Sequence, residues 1–185
     1  LIESGRATEG DARLNWAIGP QFIHDLAPAA RATLMAARVR GLIELNRAAE
    51  GLNMAEEAVK AAREAGKRGG PSRLRALDAR LFALMSVVRP SEAVAAGAEL
   101  IEAADRAGDV HLATRGRINT ASALNYLGQY AEAQALLDRA LPDTRSFRLR
   151  ILEASSLHNL GMSYARQGNL DHGIELQREA AEVDP

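Results

Sequence analysis

Towards the C-terminal end of the chain, apolar positions recur with a helical period. Leu157, Leu160, Gly161 and Tyr164 fall three, one and three residues apart, which sets them along one face of a helix. Gly168-Asn169 then interrupts the pattern, Leu170 to Glu182 resumes it as a second helix, and Pro185 follows as a stop. The same marks recur upstream. The turn Leu127-Gly128-Gln129-Tyr130-Ala131-Glu132-Ala133 has its counterpart in Gln167-Gly168-Asn169-Leu170-Asp171-His172-Gly173. Ala133 in turn has a counterpart at Ala93, in Arg89-Pro90-Ser91-Glu92-Ala93, and the offset is the same as that from Gly128 to Gly168. A shorter step leads back to Ala58, in Met54-Ala55-Glu56-Glu57-Ala58. Near-constant spacing of this kind, with a period of about 40 residues, marks a repeat architecture.

The pattern predicts paired helices: Ala29 to Glu50 with Ala55 to Ala65, Arg73 to Val88 with Ser91 to Ala107, Leu112 to Leu127 with Ala131 to Leu141, and Phe147 to Arg166 with Leu170 to Glu182. They make four hairpins, about 29–66, 72–108, 110–142 and 146–185. Gly66-Lys67-Arg68-Gly69-Gly70-Pro71-Ser72 reads as a slightly basic linker. Residues 1–28 are less regular, with Trp16, Ile18, Phe22, Ile23 and Leu26 interrupted by Pro20 and Pro28, and read as an irregular helical cap or a degenerate repeat. One hairpin cannot bury its own apolar face, so the expected fold is all-α, an α-solenoid of stacked antiparallel hairpins with a concave side. Ala58, Ala93 and Ala133 are small residues that let paired helices approach, and Gly173 keeps that space in the last hairpin.

Composition sharpens this reading. The 185 residues are 47% hydrophobic but only 4% aromatic, so the apolar content is mostly Ala, Leu, Ile and Val. Ala and Leu lead the helix-propensity scale, and no Asn-Gly hairpin signal joins two apolar runs. The net charge of −1 shows no basic excess, so direct binding to nucleic acid is not expected. Cysteine is absent, which excludes disulfides and thiolate metal sites and fits a reducing, cytoplasmic setting. The uncharged stretch Leu81 to Val88 is too short to span a bilayer, so no membrane is expected. The chain begins without Met and reads as a segment of something longer.

These residues resemble the tetratricopeptide repeat, in which a bulky residue, Leu-Gly, Tyr, a Gly turn, two Ala and a closing Pro mark a helix pair. The last unit carries Leu157, Leu160, Gly161, Tyr164, Gly168, Ala180 and Pro185, with Gly173 in place of an Ala. The third carries Ala121, Leu124, Gly128, Tyr130, Ala133 and Ala140, but has Arg117 and Thr120 where the family prefers large apolar residues. The first two match mainly at Leu42, Leu45, Ala58, Ala65, Leu77 and Ala93. The resemblance implies a right-handed superhelix whose groove is lined by the first helix of each pair. The long units are similar to those of large bacterial signalling proteins and LuxR-type transcription regulators, in which repeats sense or recruit a partner.

Registering the units on Ala58, Ala93, Ala133 and Gly173 puts Arg40, Arg75 and Arg115 at one position of their helices and Asn119 and Asn159 at another. Arg47, Asp78, Phe82, Asn125, His158 and Met162 are further groove candidates. Asn can donate to and accept from an extended peptide backbone, and Arg forks grip carboxylates. The expected partner is therefore a protein or peptide, with an acidic segment as one form. The bland alternative is that these side chains form a solvated face. A small-molecule or peptide-signal sensor and an oligomerisation scaffold are rival readings, and apolar ends of the array are expected to allow self-association.

No enzyme is expected. His24, His111, His158 and His172 are scattered, with no i, i+4 ligand pair, so no metal or cofactor is expected. Ser155 and His158 are helical neighbours without an orienting acid. Gly66-Lys67-Arg68-Gly69-Gly70 lacks the order of a phosphate-binding loop.

Overall fold

The computed structural model describes residues 26–66 and 70–183. Among them are eight α-helices and no strand: α1 (Pro28–Glu44), α2 (Ala48–Glu64), α3 (Gly70–Ser86), α4 (Pro90–Ala107), α5 (Val110–Tyr126), α6 (Tyr130–Ser146), α7 (Arg150–Arg166) and α8 (Leu170–Val183). The fold class is all-α, a solenoid of helix hairpins. Trp16, Ile18, Phe22 and Ile23 of the expected N-terminal cap, and Lys67 to Gly69 of the expected linker, lie outside the described residues.

A single local device ends the helices and sets the repeat. Asn46, Val88, Gly128 and Gly168 all adopt positive φ, as do Gly66, Gly108 and Arg148. After α1, the Asn46 N–H donates to the Ile43 carbonyl and the Arg47 N–H to the Leu42 carbonyl, at 2.9 and 2.8 Å. The pair of bonds is a Schellman motif, which satisfies carbonyls that the helix end would orphan. It recurs with the same offsets after α3, α4, α5, α6 and α7. The turns at Asn46, Val88, Gly128 and Gly168 close the first helices at near-even intervals, and those at Gly66, Gly108 and Arg148 close the second helices at matching ones. The repeat thus keeps a period of about 40 residues from α1 onward, within the range of helical-hairpin arrays.

The structure moves three expected boundaries. The first helix ends at Glu44 rather than Glu50, because Asn46 enters the left-handed region and α2 starts at Ala48. Gly51 rather than Ala58 is therefore the counterpart of Ala93, Ala133 and Gly173, each the fourth residue of its helix. The sixth helix runs on to Ser146 instead of stopping at Leu141. Pro142 has no N–H for the Asp138 carbonyl, but both residues are exposed, so water can take that carbonyl. Thr144, one turn beyond the expected end, is fully buried and donates to the Leu141 carbonyl at 2.8 Å. The third helix starts at Gly70, within the expected linker, and buries Ser72.

The chain divides into two compact units between Arg89 and Pro90. In the first, α1, α2 and α3 pack against one another, burying Val39, Leu42, Ala55, Ala58, Leu77, Leu81 and Leu84. In the second, α4 to α8 pack in sequence, and α7 also lies on α5. The second core joins Ile118, Leu124 and Leu137 to Leu157, Leu160 and Leu176, lined by Ala121, Ala133, Ala140 and Ala180. Burying each large side chain there contributes about 1.5–3 kcal/mol. Asp109 caps α5, accepting from the Leu112 N–H at 3.0 Å.

Candidate functional site

In the second unit, α5 and α7 are adjacent first helices of their hairpins. Counted from Val110 and Arg150, Arg115 corresponds to Ser155, Asn119 to Asn159, and Ser122 to Met162. All six are half-buried. Arg115 and Asn119 are one turn apart and share a face of α5, as Ser155 and Asn159 do on α7. The Asn159 amide is turned along its own helix, Nδ2 donating to the Ser155 carbonyl at 2.9 Å, and the Ser155 hydroxyl donates to the Ile151 carbonyl at 2.8 Å.

Two other candidates do different work. Asn125 is buried, not a groove residue: its Nδ2 donates to the Asn159 carbonyl at 3.0 Å and its Oδ1 accepts from the Ser163 hydroxyl at 2.6 Å. Packing α7 on α5 sinks this amide, and burial demands that both its ends be paired. His158 is exposed and clips α7 to α8. Its Nδ1 lies 2.8 Å from Gln177 Oε1, and Gln177 Nε2 donates to the His158 carbonyl at 2.9 Å. Gln177 escapes sequence reasoning because it sits on the second helix of its pair, away from the expected groove. With Ser155 turned to the backbone and His158 to Gln177, the two do not form a nucleophile–base pair.

In the first unit, α1 and α3 are adjacent. Arg75 is the sixth residue of α3 as Arg115 is of α5, so these two share a register position. Arg40 does not. It is the thirteenth residue of α1 and the counterpart of Phe82, because the first step of the repeat is as long as the later ones and not shorter, as a register on Ala58 requires. The structure nevertheless joins those two candidates: the Arg40 guanidinium carbon lies 4.4 Å from the Phe82 ring centroid, a cation–π contact. Arg75 is exposed and Asp78 half-buried. Arg47 pairs with Glu50 at 2.7 Å across the start of α2, and that hydrogen bond holds the Glu50 carboxyl below the usual carboxylate range.

Among the described residues, no group of three or more His, Asp and Glu side chains gathers as a metal site, and no helix is long and apolar enough to cross a membrane. His24 lies outside the described residues.

Among the described residues, eight helices closed by one recurring turn at a period of about 40 residues mark a helical-repeat solenoid. Residues 112–185 match the family model described as tetratricopeptide repeat. No curated protein matches the sequence significantly. Among solved structures, the nearly identical TPR-like repeats of a Podosopora anserina kinesin light chain are 18% identical to this chain with a TM-score of 0.76, over 98% of this chain and 88% of that one. The apo form of RapI is 18% identical with a TM-score of 0.73, over 82% of this chain and 55% of that one. A Rap protein complexed with Competence and Sporulation Factor is 13% identical with a TM-score of 0.76, over 98% of this chain and 52% of that one. The chain thus spans about half the length of either Rap protein. Residues 112–185 carry a tetratricopeptide-repeat match, and the chain shares the helical-repeat fold of these structures.

Proposed function

We propose that the chain is a protein-interaction module that takes an extended peptide or partner surface on the faces of its first helices. One observation carries this reading: Arg115 and Asn119 on α5 and Ser155 and Asn159 on α7 stand at matched positions of adjacent helices, half-buried and polar. Such a row offers a peptide backbone alternating hydrogen-bond partners on a rigid support. Arg75 holds the register position of Arg115 within the first unit, and arginine forks favour an acidic segment. Asp78 and Met162 are secondary members of these faces. The wider role we infer is in a larger, cytoplasmic bacterial regulatory or signalling protein, and no chemical reaction is part of it.

A signal sensor is the second reading. It is supported by the likeness to a Rap protein complexed with Competence and Sporulation Factor. Capture from lysate, followed by titration of the captured partner's peptides into the purified chain, separates the two. A peptide bound by wild type and lost in the folded Arg115→Ala, Asn119→Ala variant is the expected result. A partner captured equally by both proteins overturns the proposal.

A further inference from the structure

The turn between α6 and α7 breaks local rules that the turn one hairpin earlier keeps. Between α4 and α5, Ala107, Gly108, Asp109 and His111 hold the places that Phe147, Arg148, Leu149 and Ile151 take here. Gly108 enters the left-handed region without a side chain, at φ 70°, whereas Arg148 enters it at φ 54° with one. Asp109 caps α5 through the Leu112 N–H, whereas α7 starts after Leu149 with no side-chain cap. Phe147 and Ile151 are 59% and 69% exposed, where the earlier turn has alanine and histidine. Each change weakens the turn as a local structure. Several such departures in one short stretch mark a surface shaped by something other than folding.

A following hairpin does not cover these places. One repeat earlier, where α7 and α8 follow, Ala107, Gly108 and His111 are still exposed. The exposure of Phe147, Arg148 and Ile151 therefore belongs to their place in the repeat, whatever follows α8.

Charge selects the occupant. Arg145 pairs with Glu153 and Glu179, at 2.9 and 2.6 Å, and Arg150 Nε donates to the Val183 carbonyl at 2.8 Å. Of these three arginines, only Arg148 has no side-chain partner among the described residues. One free guanidinium suits one carboxylate, which its fork grips with two parallel bonds. A lipid surface or a nucleic-acid backbone calls for a larger basic cluster. Phenylalanine and arginine are also side chains in which protein interfaces are enriched.

We propose that the α6–α7 turn docks a segment of a partner protein that carries a carboxylate beside large apolar side chains. The carboxylate meets the Arg148 guanidinium, and the apolar side chains cover Phe147 and Ile151. The surface shares no residue with the first-helix row, so it does not rest on the peptide reading above.

The test pans a phage-displayed library of random dodecapeptides on the 185-residue chain. The library is first depleted on a variant that carries the earlier turn: Phe147→Ala, Arg148→Gly, Leu149→Asp, Ile151→His. That variant regains a glycine and a cap, so it should melt above wild type, and its failure to bind is not a failure to fold. Enriched peptides should place Asp or Glu beside Leu, Ile, Phe or Trp. Labelled with fluorescein and followed by anisotropy, they should bind Arg148→Glu about tenfold or more weakly than wild type. Arg115→Ala, Asn119→Ala should leave their affinity unchanged. No enrichment, enriched peptides without an acidic residue, or equal binding by Arg148→Glu overturns the proposal. Sedimentation with vesicles of phosphatidylcholine and phosphatidylserine, lost in Arg148→Glu, would overturn it in favour of a membrane surface.

Discussion

A methyl group added at Gly97 of α4 would stand 1.9 Å from the Thr120 hydroxyl oxygen of α5. That oxygen is held in place, donating to the Gly116 carbonyl at 2.7 Å. The missing Cβ and the threonine are thus one feature of the α4–α5 contact, and they account for the departure from a large apolar residue at 120. Alanine at 97 would gain up to about 1 kcal/mol of helix propensity, but overpacking costs about 1–3 kcal/mol. Gly97→Ala should therefore lower the urea midpoint. The loss should shrink in a Thr120→Ala background, a coupling that a double-mutant cycle reads directly. Additive effects would show that the contact is not the cause.

The last hairpin repeats the theme with backbone. A Cβ at Gly173 would lie 2.9 Å from the Gly161 carbonyl oxygen, and one at Gly161 would lie 2.8 Å from the Gly173 carbonyl oxygen. Gly173 therefore does more than leave room for an alanine: no room for one exists. Ala121 and Ala133 hold the matching positions one hairpin earlier, so α7 and α8 approach each other with both methyls removed. Gly173→Ala, a change toward the family's usual residue, should destabilise by about 1 kcal/mol or more net of propensity. Thermal unfolding followed by helical circular dichroism checks it, and a rise in midpoint would refute it.

Arg117 is an ionic residue at a core position. Its Nη2 reaches both carboxylate oxygens of Asp105, at 2.7 and 2.9 Å, and its Nη1 lies 3.6 Å from Asp143. The arginine side chain is 8% exposed, whereas Asp105 is 42% exposed. Removing the Asp105 carboxylate leaves a buried guanidinium with only the longer Asp143 contact, while replacing the guanidinium with a hydrocarbon leaves no buried charge. Asp105→Ala should cost about 1–2 kcal/mol, discounted for the exposed side of the pair. Arg117→Leu, matching Leu157 in the next hairpin, should be close to neutral. Denaturant titrations of both variants give the comparison, and an Arg117→Leu loss as large as that of Asp105→Ala would sink the argument.

The period is legible in the sequence where glycine marks the turn, at Gly128 and Gly168. It is masked at the start because Asn46 and Val88 hold the same left-handed position without announcing it, and the alignment slips from Gly51 to Ala58. Pro142 misleads because it lies on the exposed side of its helix, where water can take the Asp138 carbonyl that loses its partner. At the site, face membership can be counted from helix starts, so Asn119 and Asn159 fall together. Asn125 cannot be judged that way. Its partners, the Asn159 carbonyl and Ser163, lie 34 and 38 residues on, and only the packing of α7 on α5 brings them near.

The turn device itself gives the last prediction. Val88 sits at φ 55° at the position that Gly128 and Gly168 occupy in the next two hairpins. A β-branched side chain in the left-handed region is strained, at about 1–3 kcal/mol. The side chain is exposed, so removing it forfeits little core packing. Glycine costs about 0.5–1 kcal/mol of extra unfolded-chain entropy but removes the strain. Val88→Gly should therefore stabilise by about 1 kcal/mol and raise the midpoint by roughly 2–4 °C for a chain of this size. The mirror-image change, Gly128→Ala, should lower stability by about 1 kcal/mol, because alanine must enter the same region. If Val88→Gly melts lower than wild type, the valine makes a contact that outweighs its strain, and the turn at 88 is then held by its side chain and not by the backbone motif alone.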